Sequence, residues 1–244
     1  MVRFANHQEI KNWNILVAKN PDQGHIYQSR EWGDFKAKFG WQPVRIILDD
    51  RIAIQLLKKA VPFAGNIYYC PKGPGIFESY KKDTKNVQLF KQFTKQIKDF
   101  ILQNDKRANL IKIEPELLEG ELDLSKLGYQ KSPADLQFKA TIVVDISQKE
   151  EEILSDFKQK TRYNINLAKK RGVTVEFTTM DEAGADLMYR LMRSTQKRAG
   201  FFLRKKTYFK KYCQDLAQAK MGQLLIAKYQ NHVLAGVFAT IFNK

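Results

Sequence analysis

The stretch VRIILDDRIAIQLLK, from Val44 to Lys58, decides the fold of the first half of the chain. Its two apolar runs, Val44–Leu48 and Ile52–Lys58, flank the polar residues Asp49-Asp50-Arg51, and aspartate is a common turn residue. Apolar runs that are separated by a short polar turn predict a β-hairpin. Because helical patterns lie on both sides of this hairpin, it is the first indication of an α+β domain.

The segment before the hairpin carries two helical patterns. Apolar residues within His7–Lys19 fall on one helical face. A second helix is predicted from Ser29, a good N-cap residue, to Phe39, and Gly40 supplies its C-terminal stop.

The segment after the hairpin predicts a strand, a helix and a further strand. Ile67–Cys70 has the composition of a strand and ends at the turn-forming run Pro71–Gly75. Apolar residues then recur at helical spacing over residues 87–101. A short strand, Leu110–Ile113, is closed by Glu114 and the proline that follows it.

A second unit is predicted after the irregular stretch Ser125–Ala140, which gives domains at residues 1–140 and 141–244. Its first elements are a strand at Thr141–Asp145 and a helix that a capping-box pattern begins at Ser147. The remaining elements are a helix ending at Gly172, a strand at Val173–Phe177, helices around 187–192 and 208–216, and a hairpin of Leu224–Tyr229 with Val233–Phe242. Both halves therefore mix helices with largely antiparallel hairpins. Since the last strand has no partner after it, we expect the second domain to be C-terminally truncated.

The composition indicates a folded, strongly basic protein. The chain has 244 residues, 43% of them hydrophobic, and its 42 Lys and Arg against 26 Asp and Glu give a net charge of +16. This charge favours a polyanionic partner, such as nucleic acid, anionic lipid or a phosphorylated substrate, although a basic soluble surface is the simpler alternative.

Cys70 and Cys213 lie far apart, which favours a reducing compartment. With no signal-peptide pattern or membrane-spanning run, we expect a cytoplasmic protein that contacts the inner face of the membrane through its charge.

Two basic stretches are candidate anion-binding regions. The run from Lys158 to Arg171 holds six basic residues and no acid, and a helix there would place Arg162, Asn166 and Lys169 on one side. Such a face suits a nucleic-acid backbone, but a solvated helix face has the same charge pattern. The second stretch, residues 197–206, is predicted as a loop between helices in which an arginine would hold a diphosphate; an ordinary exposed loop is the alternative.

Most motifs of enzyme chemistry are absent. The sequence contains no GxSxG or HExxH motif and no GxGxxG after a strand, and His7, His25 and His232 have no metal-ligand spacing. We therefore expect no metal and no cofactor. The run Lys72–Gly75 follows a strand and would let backbone approach a ligand, although it is most simply a turn. If the protein is an enzyme, its reaction must need little from side chains, as in aminoacyl transfer from an activated ester to an amine.

A series of motifs occurs in order along almost the whole chain: Gln28–Lys36 with Gly40–Pro43, Tyr69–Pro74, Lys160–Ile165 with Lys169–Val173, and Arg198–Gly200 followed by Arg204 and Tyr208-Phe209. Together these motifs resemble those of the Fem-type (FemABX) aminoacyltransferases that build peptidoglycan bridges. The resemblance implies two tandem GNAT-like (acyl-CoA N-acyltransferase-like) domains with mixed, largely antiparallel sheets. It also implies transfer of an amino acid from aminoacyl-tRNA to the stem peptide of lipid II or UDP-MurNAc-pentapeptide.

The resemblance also implies a set of site residues. Lys36 and Arg204 take the positions that contact the precursor's phosphates, and Tyr208 takes that of a tyrosine lining the same site. The precursor-binding candidates, all in the motifs above, are Lys36, Arg204, Tyr208, Trp32 and Lys72. Glu114 is a weak candidate for a catalytic base. The tRNA-binding candidates are the basic residues of the first stretch, Lys158, Lys160, Arg162, Lys169, Lys170 and Arg171.

The chain departs from the family pattern in its length. The family continues beyond the point where this chain ends, and a long coiled-coil insertion is absent between Met188 and Ala217, as in the compact branch. Two alternatives stay open: an acyl-CoA-dependent N-acyltransferase with the same fold, and a non-catalytic RNA-binding module. The transferred amino acid and the choice of a lipid-linked or nucleotide-linked acceptor are left open too.

Overall fold

The fold comes from a computed structural model that describes residues 1–78, 86–118, 124–133, 136–138 and 140–243. The chain divides into two compact units, one of Met1–Gln137 with the residues from Ile241 onward, the other of Phe138–Thr240. Both units combine helices with sheets, so the α+β class expected from the sequence is confirmed. The functional boundary after residue 140 and the GNAT-like character of the domains stay predictions.

The first unit is built on one mixed sheet. Its helices and strands, in chain order, are β1 (Val2–Phe4), α1 (His7–Lys11), α2 (Trp13–Ala18), α3 (Arg30–Ala37), β2 (Gln42–Leu48), β3 (Ile52–Val61), β4 (Gly65–Pro71), α4 (Asn86–Asn104) and β5 (Ala108–Glu114). The sheet order is β1-β2-β3-β4-β5, antiparallel except that β4 and β5 run parallel. A parallel pair needs a crossover, and α4 lies within that connection.

The opening hairpin has the geometry that its sequence predicts. Asp49 and Asp50 have positive φ angles of 49° and 53°, as the central residues of a type I′ turn require. The register pairs Leu48 with Ile52 and Ile46 with Ile54. The single helix expected over His7–Lys19 is instead two short helices, separated at Asn12.

Alternation along the hairpin gives the sheet two apolar faces. Ile46 packs in a cluster with Phe90, Phe93 and other residues of α4, while its neighbour Ile47 packs against Trp13 and residues around it. Because successive side chains of a strand point to opposite faces, one hairpin supplies the core on both sides. The sheet is therefore fixed between α4 and the N-terminal helices.

The second unit contains a three-stranded antiparallel sheet of order β6-β7-β8. Its elements are α5 (Glu150–Asp156), α6 (Gln159–Lys170), β6 (Thr174–Thr178), α7 (Glu182–Ala199), α8 (Lys206–Gln218), β7 (Gly222–Tyr229) and β8 (His232–Thr240). Gly172 has a φ of 78° just after α6, where the amide of Val173 donates to the carbonyl of Ala168 (3.1 Å). This geometry confirms the predicted helix end, since glycine adopts the left-handed conformation without a Cβ clash.

Two local predictions in the second unit are wrong. Thr141–Asp145 is not part of a sheet, because no neighbouring strand pairs with it among the described residues. Ser147 hydrogen-bonds to Asp145, and the helix begins later, with Lys149 at the N-cap and Glu152 completing the capping contact. Across the described ranges, no helix has both the length and the apolar character that crossing a membrane requires.

Candidate functional site

Lys36 lies in a cluster of lysines and tryptophans in the first unit. Helix α3 begins at the predicted cap Ser29, whose hydroxyl accepts from the Trp32 amide (3.1 Å), and it places Lys36 one turn after Trp32. The Lys36 Nζ lies 5.6 Å from the centroid of the Trp32 ring and 5.3 Å from that of Trp41. Lys59 Nζ, from β3, lies 5.3 Å from the same Trp41 ring. Two ammonium groups thus share one indole, within the range of cation–π attraction.

Buried aromatic side chains support this lysine–indole cluster. Trp32 is 8% exposed and stacks on Tyr27 with a centroid distance of 4.4 Å. Its other neighbour, Phe35, is buried as well, at a centroid distance of 5.5 Å. Packing therefore fixes the wall on which Lys36 rests. Trp32, expected to bind substrate, is at least part of this wall; a direct contact with substrate stays a prediction.

Tyr69 and Glu114 meet at the ends of the parallel strands. The register of β4 and β5 pairs Tyr69 with Lys112 and Pro71 with Glu114. The Tyr69 hydroxyl donates to Glu114 Oε2 and accepts from Gln137 Nε2 (3.0 Å). The ring of Tyr69 also lies 6.4 Å from that of Trp41, which places this pair next to the lysine–indole cluster.

Glu114 is surrounded by donors. Besides Tyr69, its Oε1 accepts from the Leu136 amide (3.2 Å) and lies 3.2 Å from Lys112 Nζ. Burial, together with the hydrogen bond to Glu114, raises the pKa of Tyr69, so its hydroxyl keeps its proton at neutral pH. Both carboxylate oxygens of Glu114 are therefore engaged. This arrangement suits a positioning role, and the expected role as a base stays a prediction.

Lys72 is paired rather than exposed. Its Nζ lies 2.8 Å from Glu116 Oε1, and the two side chains are 19% and 20% exposed. The loop around it is tied to the sheet by the Gly73 amide, which donates to the Glu114 carbonyl (3.1 Å). Gln28, fully buried, donates to the Pro71 carbonyl (2.7 Å). The Lys-Gly-Pro-Gly run is thus a packed connection, and a role for Lys72 in substrate binding would require its ion pair to rearrange.

A partly buried acid, Asp22, and a partly buried histidine, His25, adjoin this loop. A Cβ on Gly75 would lie 2.2 Å from Asp22 Oδ2, so the glycine makes room for the Asp22 carboxylate. Burial raises the pKa of Asp22 to about 6. The Nδ1 of His25 accepts from the Tyr27 amide (3.0 Å), and burial lowers the pKa of His25 to about 4. His25 is therefore neutral at pH 7, and sequence spacing gave no sign of this pair.

Arg204, in the second unit, is exposed and lies against two aromatic rings. Its Cζ is 5.5 Å from the centroid of Tyr208 and 5.8 Å from that of Phe202. Contrary to the loop expected over 197–206, α7 continues to Ala199, so the loop proper begins at Gly200. A guanidinium that is oriented by stacked rings can present two parallel N–H groups to a phosphate. Lys36 and Arg204 belong to different units, and their joint action stays a prediction.

The basic stretch of the second unit forms α6, as predicted, with Lys158 at its N-cap. Arg162 is partly committed to structure, because its Nη1 donates to the carbonyls of Ser155 (2.9 Å) and Phe157 and so joins α6 to the end of α5. The other predicted tRNA-binding residues of this stretch are exposed: Lys158, Lys160, Lys169, Lys170 and Arg171. Lys169 and Lys170 also complement the helix dipole at the C-terminal end.

Neither cysteine has the environment of a nucleophile. Burial raises the pKa of the Cys70 thiol and that of Cys213, the latter to about 12. Among the residues that the structure describes, no group of three or more His, Cys, Asp and Glu side chains could hold a metal ion. The lysine–indole cluster can bind an anion, and the Tyr69–Glu114 pair can orient polar groups.

The fold and these motifs define a member of a known class. The sequence model of the FemAB family matches residues 7–133 and 123–233, and the chain belongs to the FemAB family. Its fold is shared with the crystal structure of FemX, with a TM-score of 0.69 at 24% identity, over 93% of this chain and 57% of that one.

Curated relatives of this chain are named as lipid II:glycine glycyltransferases. The chain is 25% identical over 234 residues to the lipid II:glycine glycyltransferase of Staphylococcus epidermidis, covering 89% of this chain and 54% of that protein. It is 27% identical over 232 residues to the lipid II:glycine glycyltransferase of Staphylococcus aureus (strain MRSA252), covering 88% of this chain and 52% of that protein. The chain thus spans about half the length of the curated relatives that it matches.

Proposed function

We propose that this chain belongs to an aminoacyltransferase that moves an amino acid from aminoacyl-tRNA to the stem peptide of a peptidoglycan precursor. The observation that carries the proposal is the lysine–indole cluster of Lys36, Trp41 and Lys59, next to the Tyr69–Glu114 pair. Two ammonium groups on one ring match the two neighbouring charges of a diphosphate. The names of the curated relatives support lipid II as the acceptor class.

The reaction needs an amine, an ester and accurate placement. A deprotonated amine of the stem peptide attacks the carbonyl carbon of the aminoacyl ester, a C–N bond forms, and the C–O bond to the tRNA ribose breaks. The amine loses one proton and the departing ribose oxygen gains one, so the step balances without a cofactor. Because the ester is already activated, positioning supplies much of the rate. Lys36 and Lys59 hold the diphosphate, while Glu114 and Tyr69 orient groups beside it.

Basic residues of the second unit bind the donor, aminoacyl-tRNA. The exposed residues Lys158, Lys160, Lys169, Lys170 and Arg171 follow the backbone of the tRNA acceptor arm, where each cation displaces condensed counterions. Arg204, stacked on Tyr208, adds a phosphate contact for the precursor. We place the protein at the inner face of the cell membrane, where a lipid-linked acceptor is presented.

A transfer assay tests the proposal directly. The protein is incubated with lipid II or UDP-MurNAc-pentapeptide and either charged tRNA carrying a labelled amino acid or labelled acetyl-CoA. We expect label to reach the precursor from charged tRNA alone. Label from acetyl-CoA would identify an acyl-CoA-dependent N-acyltransferase instead, and RNA binding without any transfer would leave an RNA-binding module.

A further inference from the structure

The turn between β3 and β4 holds an aromatic residue where the backbone favours glycine or asparagine. The Ala64 amide donates to the Val61 carbonyl (3.1 Å), with Pro62 at the second position of the turn and a φ of 60° at Phe63, the third. These are the features of a type II turn, whose third residue is usually Gly because a positive φ is needed there. A bulky side chain at positive φ is an outlier.

Burial of the Phe63 side chain does not offset this unfavourable backbone conformation. It is fully exposed, and its ring lies at the tip of the hairpin, beyond the last pair of the β3–β4 ladder, Val61 with Gly65. A fully exposed phenylalanine in an unfavourable conformation does not stabilise the fold. The outlier therefore points to a role for this side chain outside the folded unit.

The surroundings of the tip are basic. The Asn66 amide donates to the Arg107 carbonyl (2.7 Å), which brings the exposed residues Lys106 and Arg107 beside the turn. The residue before them, Asp105, is an acid whose carboxylate is paired with Lys58 (2.8 Å). The apolar tip is thus bordered by the positive charges of Lys106 and Arg107.

We propose that the tip formed by Pro62 and Phe63 inserts into the interfacial region of an anionic lipid bilayer, with Lys106 and Arg107 at the headgroup phosphates. An exposed aromatic ring beside cations fits the boundary between acyl chains and anionic headgroups. A base-paired nucleic acid would account for the cations, but its stacked bases leave no face free for the exposed ring of Phe63.

The distance between the tip and the lysine–indole cluster bears on the kind of acceptor that the enzyme uses. This part of the inference rests on the proposed function. Lys59 lies on β3, four residues before Phe63 in the turn, so their Cα atoms are at most about 13 Å apart at the rise of a strand. A ring in the interfacial layer would therefore keep Lys59 and its partner Lys36 near headgroup level, where the diphosphate of a lipid-linked precursor lies. The hairpin favours a lipid-linked acceptor over a nucleotide-linked one.

Vesicle binding tests the tip without requiring activity. Co-sedimentation is measured with vesicles of phosphatidylcholine alone and with a third of phosphatidylglycerol, for the wild type, Phe63→Asn, the charge variant Lys106→Ala and the control Phe138→Asn. Phe138 is an aromatic residue outside the turn and is 94% exposed. Asparagine tolerates positive φ, so Phe63→Asn should keep the wild-type melting temperature. We expect Phe63→Asn to weaken binding to anionic vesicles about tenfold, Lys106→Ala roughly fivefold, and Phe138→Asn less than twofold.

Other outcomes overturn the proposal. These are a wild type that does not bind anionic vesicles, equal losses in Phe63→Asn and Phe138→Asn, and a solution dimer that Phe63→Asn converts to a monomer. The last result would assign the tip to a second copy of the chain. The proposed function fails separately, through absence of transfer from charged tRNA to lipid II dispersed in detergent, a reaction without a bilayer that Phe63→Asn should leave unchanged.

Discussion

The two basic regions of this protein hold their charges in different ways. In the first unit, Lys36 and Lys59 rest on the ring of Trp41, beside buried aromatic side chains. In the second unit, the lysines of α6 extend from an exposed helix surface. Charges fixed on packed rings suit one compact anion of defined shape, whereas mobile charges suit an extended polyanion. The comparison teaches that the basic residues of this chain form both a rigid site and an adaptable surface.

The largest expected effect comes from removing a charge of the rigid site. Lys36→Ala should raise the KM for the peptidoglycan precursor about tenfold to a hundredfold, because a charge-assisted phosphate contact is lost. The control is Lys11→Ala, which removes an exposed lysine at the end of α1. Steady-state transfer kinetics and a melting curve for each variant check the prediction. An unchanged KM in a folded Lys36→Ala protein would remove Lys36 from the site.

The next prediction tests the Trp41 ring while Lys36 and Lys59 are kept. Trp41→Leu should raise the same KM by roughly tenfold, since both ammonium groups lose the ring that holds them, while Trp41→Phe should restore most of the affinity. Steady-state transfer kinetics give the KM, and calorimetry gives the affinity for the precursor. Equal affinities of the leucine and phenylalanine variants would show that the ring does not order the lysines.

Substitution of Tyr69 tests whether its contact with Glu114 positions groups for the reaction or only stabilises the fold. Tyr69→Phe removes a donor to Glu114 and should cost about 1 kcal/mol in unfolding free energy and also lower kcat. Tyr68→Phe is a matched control on the same strand, because it removes a hydroxyl that donates to Asp105 (2.8 Å). It should cost a similar free energy with kcat unchanged. Equal kcat values in the two variants would make the Tyr69 contact purely structural.

Asp22, the partly buried acid of the first unit, gives a pH-dependent test. Because its pKa is raised from 3.8 to about 6, its contribution to stability falls as pH rises through this window, and an asparagine does not titrate. Asp22→Asn should therefore match the wild type near pH 4 and exceed it by roughly 1–2 kcal/mol at pH 7. His25 is present in both proteins, so the difference reports Asp22. Urea unfolding from pH 4 to pH 7.5 gives the profile, and a constant difference would contradict the burial effect.

The smallest effects per residue are expected on the adaptable surface. Lys169→Ala with Lys170→Ala should weaken tRNA binding only about fivefold and reduce the salt slope of log K by about 0.7–0.9 per charge. Lys91→Ala, an exposed lysine of α4, should change neither value. Filter binding across a salt series measures both quantities. A loss as large as that of Lys36→Ala would mean that α6 is a rigid site as well.

Local chemistry accounts for the parts of the fold that the sequence predicts well. The paired aspartates at 49 and 50 fix the hairpin turn, and Gly172 fixes a helix end, because both depend on backbone angles that few residues adopt. Thr141–Asp145 shows the opposite case: its apolar pattern is that of a strand, but a strand needs a partner. Pattern alone does not supply that partner.

Part of the candidate site can also be predicted from local sequence. Lys36 lies one helical turn from Trp32, so its place beside that ring follows from spacing. Lys59 reaches Trp41 only because β2 and β3 pair Gln42 with Lys58, and Gln137 reaches Tyr69 across 68 positions of the chain. Contacts of this kind depend on strand register and on which distant segments of the chain meet in the fold. A single sequence does not specify either.

The shared ring of Trp41 has an optical consequence. The chain has three tryptophans, of which Trp13 is fully shielded and Trp32 nearly so, whereas Trp41 is partly open to solvent. An anion bound by the two ammonium groups on Trp41 would change the electric field at that indole and shift its emission. The protein thus carries its own fluorescent probe at the place where the precursor is proposed to bind, and a titration needs no label.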